Sequence, residues 1–257
     1  LHLCDRRQRQ MCIRDRFITD MPYCQNYGSV QQYFADMSDN LFIPQFDVVD
    51  PVTVSKNSAY YGKNGRDDGS DTNFPQMIKE ACQQVDGKVN FADYDSDGDG
   101  YVDLVYVIYA GYSESIVGNS GDCLWPKSGT VGVGTYDGKT VSRYGINNEL
   151  NNKPADTQDG KYYINGIGLF CHEFSHTLGL PDIYPTNEIT EHNQSPEYWD
   201  VMDTGNYQAD GYQPIPYSPW EKSIVGWKQP TLLSDTEAKQ IKLEPYCLLY
   251  TSPSPRD

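Results

Sequence analysis

Apolar residues recur along this chain with helix and strand periods that divide it into elements. Residues 28–37 (GSVQQYFADM) place Val30, Tyr33 and Phe34 on one face, which predicts a short amphipathic helix. A second helix is predicted from Asn73, with Phe74 and Pro75 in its first turn and Met77, Ile78, Ala81 and Val85 on its buried face. Between them, residues 41–54 alternate and carry β-branched side chains, which predicts strands broken by Pro44 and Pro51. Leu104 to Ala110 (LVYVIYA) is an apolar run of strand length and predicts a central strand. Residues 111–162 are rich in Gly, Asn, Asp and Ser, with short strand candidates such as Thr140–Ile146. Such a long irregular stretch suits a substrate-facing surface or an ion-stabilised loop. Ile164 to Leu180 is apolar, glycine-punctuated and helical in its second half, and Tyr217 to Val225 predicts a last short helix ended by Gly226. No internal repeat or linker divides the chain, so a single domain is expected.

The two ends do not share this patterning. Residues 6–16 (RRQRQMCIRDR) are a basic burst, and residues 247–257 (CLLYTSPSPRD) have no periodicity. The string CLLYTS can be encoded TGT CTC TTA TAC ACA TCT. Its reverse complement, read two bases in, encodes MCIRD, which is residues 11–15. Residues 1–16 and 247–257 therefore read as a translated sequencing adapter in opposite orientations, and 17–246 as the protein proper, a fragment of a longer reading frame.

Composition changes with that division. The 257 residues carry 20 basic and 36 acidic side chains, a formal charge of −16. Removing six Arg and three Asp with the two ends leaves 14 basic and 33 acidic, a charge of −19. A surface this acidic repels phosphate backbones and anionic bilayers, which argues against a nucleic-acid binder. No apolar run approaches the ~18 residues of a membrane helix. The 21 Tyr and 22 Gly beside 8 Phe fit a loop-rich, extracellular kind of surface. Of the seven cysteines, Cys24, Cys82, Cys123 and Cys171 lie in 17–246; they allow three complete pairings, and reduced thiols as well.

Residues 172–182 (HEFSHTLGLPD) carry the sharpest chemistry. His172 and His176, four apart on a helix, share one face, so two imidazoles can bind one tetrahedral zinc. Glu173 can reach the metal's water and take its proton as general base. Gly179 can end the helix and return Asp182 toward the metal as a third ligand, leaving the fourth position open, as a catalytic site requires. Cys171 points about 100° away from His172, toward packing rather than metal. His192 lies in a polar loop, where most histidines are simply solvated.

With that motif on the page, the chain resembles the immune-inhibitor-A-like secreted metallopeptidases, zincins related to the metzincins. The matching segments are HEFSHTLGLPD, YDSDGDGYVDLVYVIYAG at 94–111, YWDVMDTGNY at 198–207 and SPWEKSIVGW at 218–227. The resemblance covers most of residues 28–230. It implies zinc on His172, His176 and Asp182, Glu173 as base, and a Met-turn at Met202 that floors the site without ligating. It also implies an α+β zincin-like catalytic domain, a twisted mixed sheet over the active-site helix, N-terminally truncated so that early strands and any propeptide are missing. Tyr207, beyond the Met-turn, is equally a phenol for the tetrahedral oxyanion or a core tyrosine anchoring the turn.

Asp95, Asp97, Asp99 and Asp103, with Gly100 for the bend and the Tyr101 carbonyl, could wrap one hard cation in oxygen. The twelfth position is Tyr106 rather than Glu and a strand follows, so this is not an EF-hand. Carboxylates this close repel without a counter-ion, which favours a structural calcium site, and the resemblance supports calcium in a general way. The expectation is a secreted zinc endopeptidase that hydrolyses protein or peptide substrates. Two rivals stand beside it: a non-catalytic, calcium-stabilised adhesion or glycan-binding module with a relic zinc helix, and a snapalysin-like small protease, disfavoured by length and the acidic turn.

Overall fold

The structure, a computed structural model, describes residues 28–65, 70–118, 121–151, 164–185 and 195–229. The segments read as adapter, together with Cys24 and His192, lie outside the described residues. The architecture is mixed α+β with a small mixed sheet. Helices are α1 (Val30–Met37), α2 (Ser58–Tyr61), α3 (Phe74–Val85), α4 (Glu114–Val117), α5 (Ile167–Thr177) and α6 (Pro219–Ile224). Strands are β1 (Val105–Tyr109), β2 (Lys127–Tyr136) and β3 (Lys139–Asn148), in the order β1-β3-β2.

The predicted helices form for the reasons their sequences give. Ser29 caps α1 by accepting the Gln32 amide, and Val30, Tyr33, Phe34 and Met37 are buried at the i, i+3, i+4, i+7 spacing. In α3, Pro75 sits in the first turn, where its missing N–H costs nothing, and Met77, Ile78, Cys82 and Val85 are buried. Cys82 takes the place expected of Ala81, which is only half-buried.

Three strand expectations change. Residues 41–54 are extended but join no ladder: Pro44 and Pro51 offer no amide, and side chains satisfy the segment instead. Gln31 donates to the Pro44 carbonyl and Gln84 to that of Thr53, while Glu80 accepts the Ser55 amide. Among the described residues the run around β1 lies at an edge of the sheet and β3 is central, parallel to β1 and antiparallel to β2. And the stretch taken as irregular contains a hairpin of two ten-residue strands, closed by Asp137 and Gly138, both with positive φ, as a two-residue hairpin turn demands.

Two cores flank the sheet. Val105 and Val107 of β1 pack on the cluster holding α3, whereas Tyr106 and Ile108 pack on the cluster holding α1 and α5, the period-2 alternation of a strand covered on both sides. The Tyr106 ring stacks on Phe170 of α5 at 3.9 Å, and Phe174 meets Phe34 of α1 at 4.8 Å. Helix α5 is thus enclosed, with every residue from Ile167 to Ser175 buried. A cavity of about 240 Å³ between the 47–54 strap, α3 and β1 is lined by none of the metal-motif residues.

Gly168 sets how closely α5 approaches the 204–207 turn. Its amide donates to the Gly211 carbonyl at 2.8 Å, and a Cβ built there would lie 1.9 Å from the Asn206 carbonyl oxygen. In an ordinary helix, Gly→Ala stabilises by about 1 kcal/mol. Here Gly168→Ala is expected to destabilise by about 1–3 kcal/mol through overpacking, read as a lower Tm in thermal unfolding. A raised Tm would contradict the packing described.

Candidate metal centre

Helix α5 ends where its sequence says it should. Leu178 caps it, Gly179 adopts φ +96°, and the Gly179 amide donates to the His176 carbonyl. The reversal carries Leu180 and Asp182 back alongside the helix. His172, His176 and Asp182 come together, each offering a ligand atom within 4.8 Å of the others. Asp182 Oδ1 lies 3.2 Å from Nε2 of both imidazoles.

The backbone decides what those nitrogens offer. His172 Nδ1 donates to the Val201 carbonyl at 2.8 Å, and His176 Nδ1 to the Leu180 carbonyl at 2.8 Å. A carbonyl only accepts, so each Nδ1 carries a proton, and the neutral form of each ring turns an Nε2 lone pair inward. The two Nε2 atoms and Asp182 Oδ1 therefore converge on one point. Three acceptors facing one another fit a metal cation, and the mix of imidazole and carboxylate fits zinc.

The charges agree. Burial pushes the Asp182 carboxyl up, but the two imidazoles outweigh it and hold the group well below the usual carboxylate range. Burial lowers His176, yet Asp182 and the Leu180 carbonyl prevail and leave it above ordinary imidazole. Glu173 is buried and its carboxyl is raised by burial, against the pull of His172 and His176. A carboxylate lifted in this way is a better proton acceptor than one in water.

Met202 is fully buried in the cluster that also holds Val201 and Cys171. Its carbonyl accepts the Ile183 amide at 3.1 Å, tying the turn to the Asp182 segment. Cys171 is fully buried with its thiol pushed well up by burial, so it packs as an apolar residue. Among the described residues Cys82, Cys123 and Cys171 are free thiols. Tyr207 keeps 38% of its surface exposed, yet burial of its ring raises the phenol, which bonds Ser115 and senses the Glu173 charge. Sequence reasoning missed Tyr184: its phenol bonds Asp182 and senses Glu173 and Tyr207, and the signal was its place two residues beyond the carboxylate. It also missed Ser128 at the start of β2, whose hydroxyl lies beside Glu173.

The acidic turn is assembled in part. Asp95, Asp97 and Asp99 offer oxygens within 4.8 Å of one another, but Asp103 turns to accept the Ser96 amide. Tyr101 bridges Thr140, with its ring 5.7 Å from the Arg143 guanidinium. The missing counter-charge comes partly from β3: Lys139 pairs with Asp95 at 2.5 Å and Arg143 with Asp99 at 2.7 Å. Lys139 lowers the Asp95 carboxyl; the Tyr101 amide and then Arg143 lower that of Asp99.

Comparison with known proteins fits this geometry. The sequence model of the immune inhibitor A peptidase M6 catalytic domain matches residues 8–230, overlapping the end of the stretch read as adapter. The chain is similar to the pre-pro-metalloprotease PrtV of Vibrio cholerae serotype O1, 28% identical over 227 residues, covering 79% of this chain and 24% of that protein. It is also similar to immune inhibitor A of Bacillus thuringiensis subsp. alesti, 27% identical over 234 residues, covering 80% of this chain and 33% of the relative. The chain thus spans a quarter to a third of the length of these relatives. For the centre itself, Asp182→Ala is expected to lower bound metal after dialysis, since one anionic donor of three is lost. Metal content equal to the parent's would mean that another residue is the third ligand.

Proposed function

Because the chain belongs to the immune inhibitor A peptidase M6 family, matched across its catalytic domain, we propose that it is a zinc-dependent endopeptidase domain of zincin type, secreted and acting on protein substrates. The single observation that carries this reading is the convergence of two Nε2 atoms and Asp182 Oδ1 beside the buried Glu173. Zinc held by His172, His176 and Asp182 would supply a Lewis acid that polarises the scissile carbonyl and acidifies water. Glu173 takes a proton from the attacking water as its oxygen bonds to the carbonyl carbon. It then delivers that proton to the amine as the C–N bond breaks. Tyr207, whose phenol senses the Glu173 charge, is the candidate donor to the developing oxyanion.

Strand β2 supports a docking mode for an extended peptide. It is an edge strand in the described sheet, pairing with β3 on one side, and its Ser128 lies beside Glu173. A peptide added along this edge would hydrogen-bond through its backbone and pass the general base. Among the described residues no helix is long and apolar enough to cross a membrane.

Glu173→Gln keeps the shape and removes the proton acceptor. Metal content should stay at the parent level while casein hydrolysis falls by about 10²–10⁴-fold. Full activity would overturn the assignment of the base. A casein digest with and without a zinc chelator separates the enzyme from an adhesion or glycan-binding module, which would cleave nothing in either condition.

The acidic turn supports a second, structural cation. Asp95 Oδ1 is buried without a donor, and its side chain is 1% exposed. Calcium there would add to the charge that Lys139 and Arg143 already provide. Adding calcium is expected to raise the Tm of the parent, and Asp95→Asn to reduce that rise; equal rises would place calcium elsewhere.

A further inference from the structure

Two carboxyl groups behind the metal centre are left unexplained by the reaction just described. Glu221 of α6 is fully buried and Asp200 nearly so. Glu221 and Ser218 form a reciprocal cap: Glu221 Oε2 accepts the Ser218 amide, and Ser218 Oγ accepts that of Glu221 at 3.2 Å. The other oxygen, Oε1, is buried and has no donor among the described residues. The Glu221 carboxyl instead lies within hydrogen-bonding reach of that of Asp200. Two carboxylates cannot hydrogen-bond each other unless one of them keeps a proton.

Asp200 is tied in turn to the wall of the centre. Its Oδ1 accepts the Met202 amide at 2.8 Å, and its carbonyl accepts the Asp203 and Gly205 amides at 3.2 and 2.9 Å. Val201, between Asp200 and Met202, offers the carbonyl that takes the His172 Nδ1 proton. The connection runs from the α6 cap through two carboxyls to one peptide unit, and from there to the imidazole.

We propose that Asp200 and Glu221 share one proton as a buried pair, and that Glu221 is thereby a positioning residue holding the Val201 carbonyl against His172. This rests on the metallopeptidase reading for its catalytic meaning, but the pair itself does not. The charged surroundings favour sharing. Asp200 faces Asp203 and His172, Glu221 faces Asp200 and the Tyr217 phenol, and the adjacent Lys222 is directed to Asp36 and Asp39 with Lys228 nearby. Glu221 has no cation among these neighbours, and the pull of His172 on Asp200 is outweighed by burial.

Burial and the Asp200 charge push Glu221 up to about 8, and burial raises Asp200 too. The folded protein therefore holds a proton that the unfolded chain releases near the ordinary carboxylate value. The stabilisation is complete below that value and is lost as pH rises through about 8. Above it, two adjacent carboxylates repel across the turn that carries Val201.

The experiment compares the parent, Glu221→Gln and Glu221→Ala. Glutamine presents an N–H donor to Asp200 at every pH while its oxygen still accepts the Ser218 amide. In the parent, kcat/KM for a casein-derived peptide should fall on the alkaline side as the pair loses its shared proton. In Glu221→Gln most neutral-pH activity should remain and the alkaline fall should move up by about one pH unit or more. Glu221→Ala should lose about 10–100-fold in activity and retain zinc less well. Infrared spectra at neutral pH should show a protonated carboxyl band in the parent that is absent in Glu221→Gln.

An unmoved alkaline limb, or an infrared band that survives in Glu221→Gln, would overturn the shared proton. A Glu221→Gln variant as impaired as Glu221→Ala would overturn the positioning role. If Glu221→Ala does not fold, Glu221→Gln and the infrared band still decide. If the infrared and zinc results come out as expected but the parent cleaves nothing, the enzyme reading fails and the pair stands.

Discussion

Two backbone carbonyls, those of Val201 and Leu180, govern the chemistry of this protein. Each engages one Nδ1–H, so that His172 and His176 both turn Nε2 toward Asp182 and, as neutral rings, offer a lone pair there. Without those acceptors, either ring could rotate or change tautomer, and the same residues would be an ordinary His–Asp contact. The two carbonyls come from different places. Leu180 follows the helix C-terminus directly, whereas Val201 arrives on a separate turn that must be held against α5 from behind.

Much of the fold serves that second placement. Helix α5 is fixed between the sheet, through Tyr106 on Phe170, and α1, through Phe34 on Phe174. Its first turn can touch the 204–207 segment because residue 168 has no side chain. On the far side, the Tyr217 hydroxyl meets Ser175, and the capping box of α6 brings Glu221 to Asp200. The apolar clusters set where the helix lies, and a few buried polar contacts set how the turn faces it. That division is physically reasonable, since apolar packing is non-directional and hydrogen bonds are not.

The helices and the metal motif were legible in the sequence because their information is local. A period of 3.6 with caps at its ends identifies α1 and α3, and a four-residue spacing puts His172 and His176 on one face. The hairpin was not legible in the same way. Glycines at 129, 132 and 134 dilute the alternation of β2, although the Asp137-Gly138 pair was a turn signal in plain view. Val105 to Tyr109 read as central because both faces are apolar, but that composition reflects two covering cores, not a place between two strands. Carbonyl acceptors carry no residue-type signal, so the roles of Val201 and Leu180 were invisible. Lys139 and Arg143, 44 residues from the aspartates they neutralise, could be found only from coordinates.

The central claim is that the inward lone pairs of His172 and His176, with the Asp182 carboxylate, hold a single zinc ion. X-ray absorption at the zinc edge of the metal-loaded protein tests it most directly. One zinc per chain is expected, with two imidazole nitrogens and oxygen for the remaining donors. A sulfur scatterer, which would bring a cysteine into the site, or fewer than two imidazoles would contradict it.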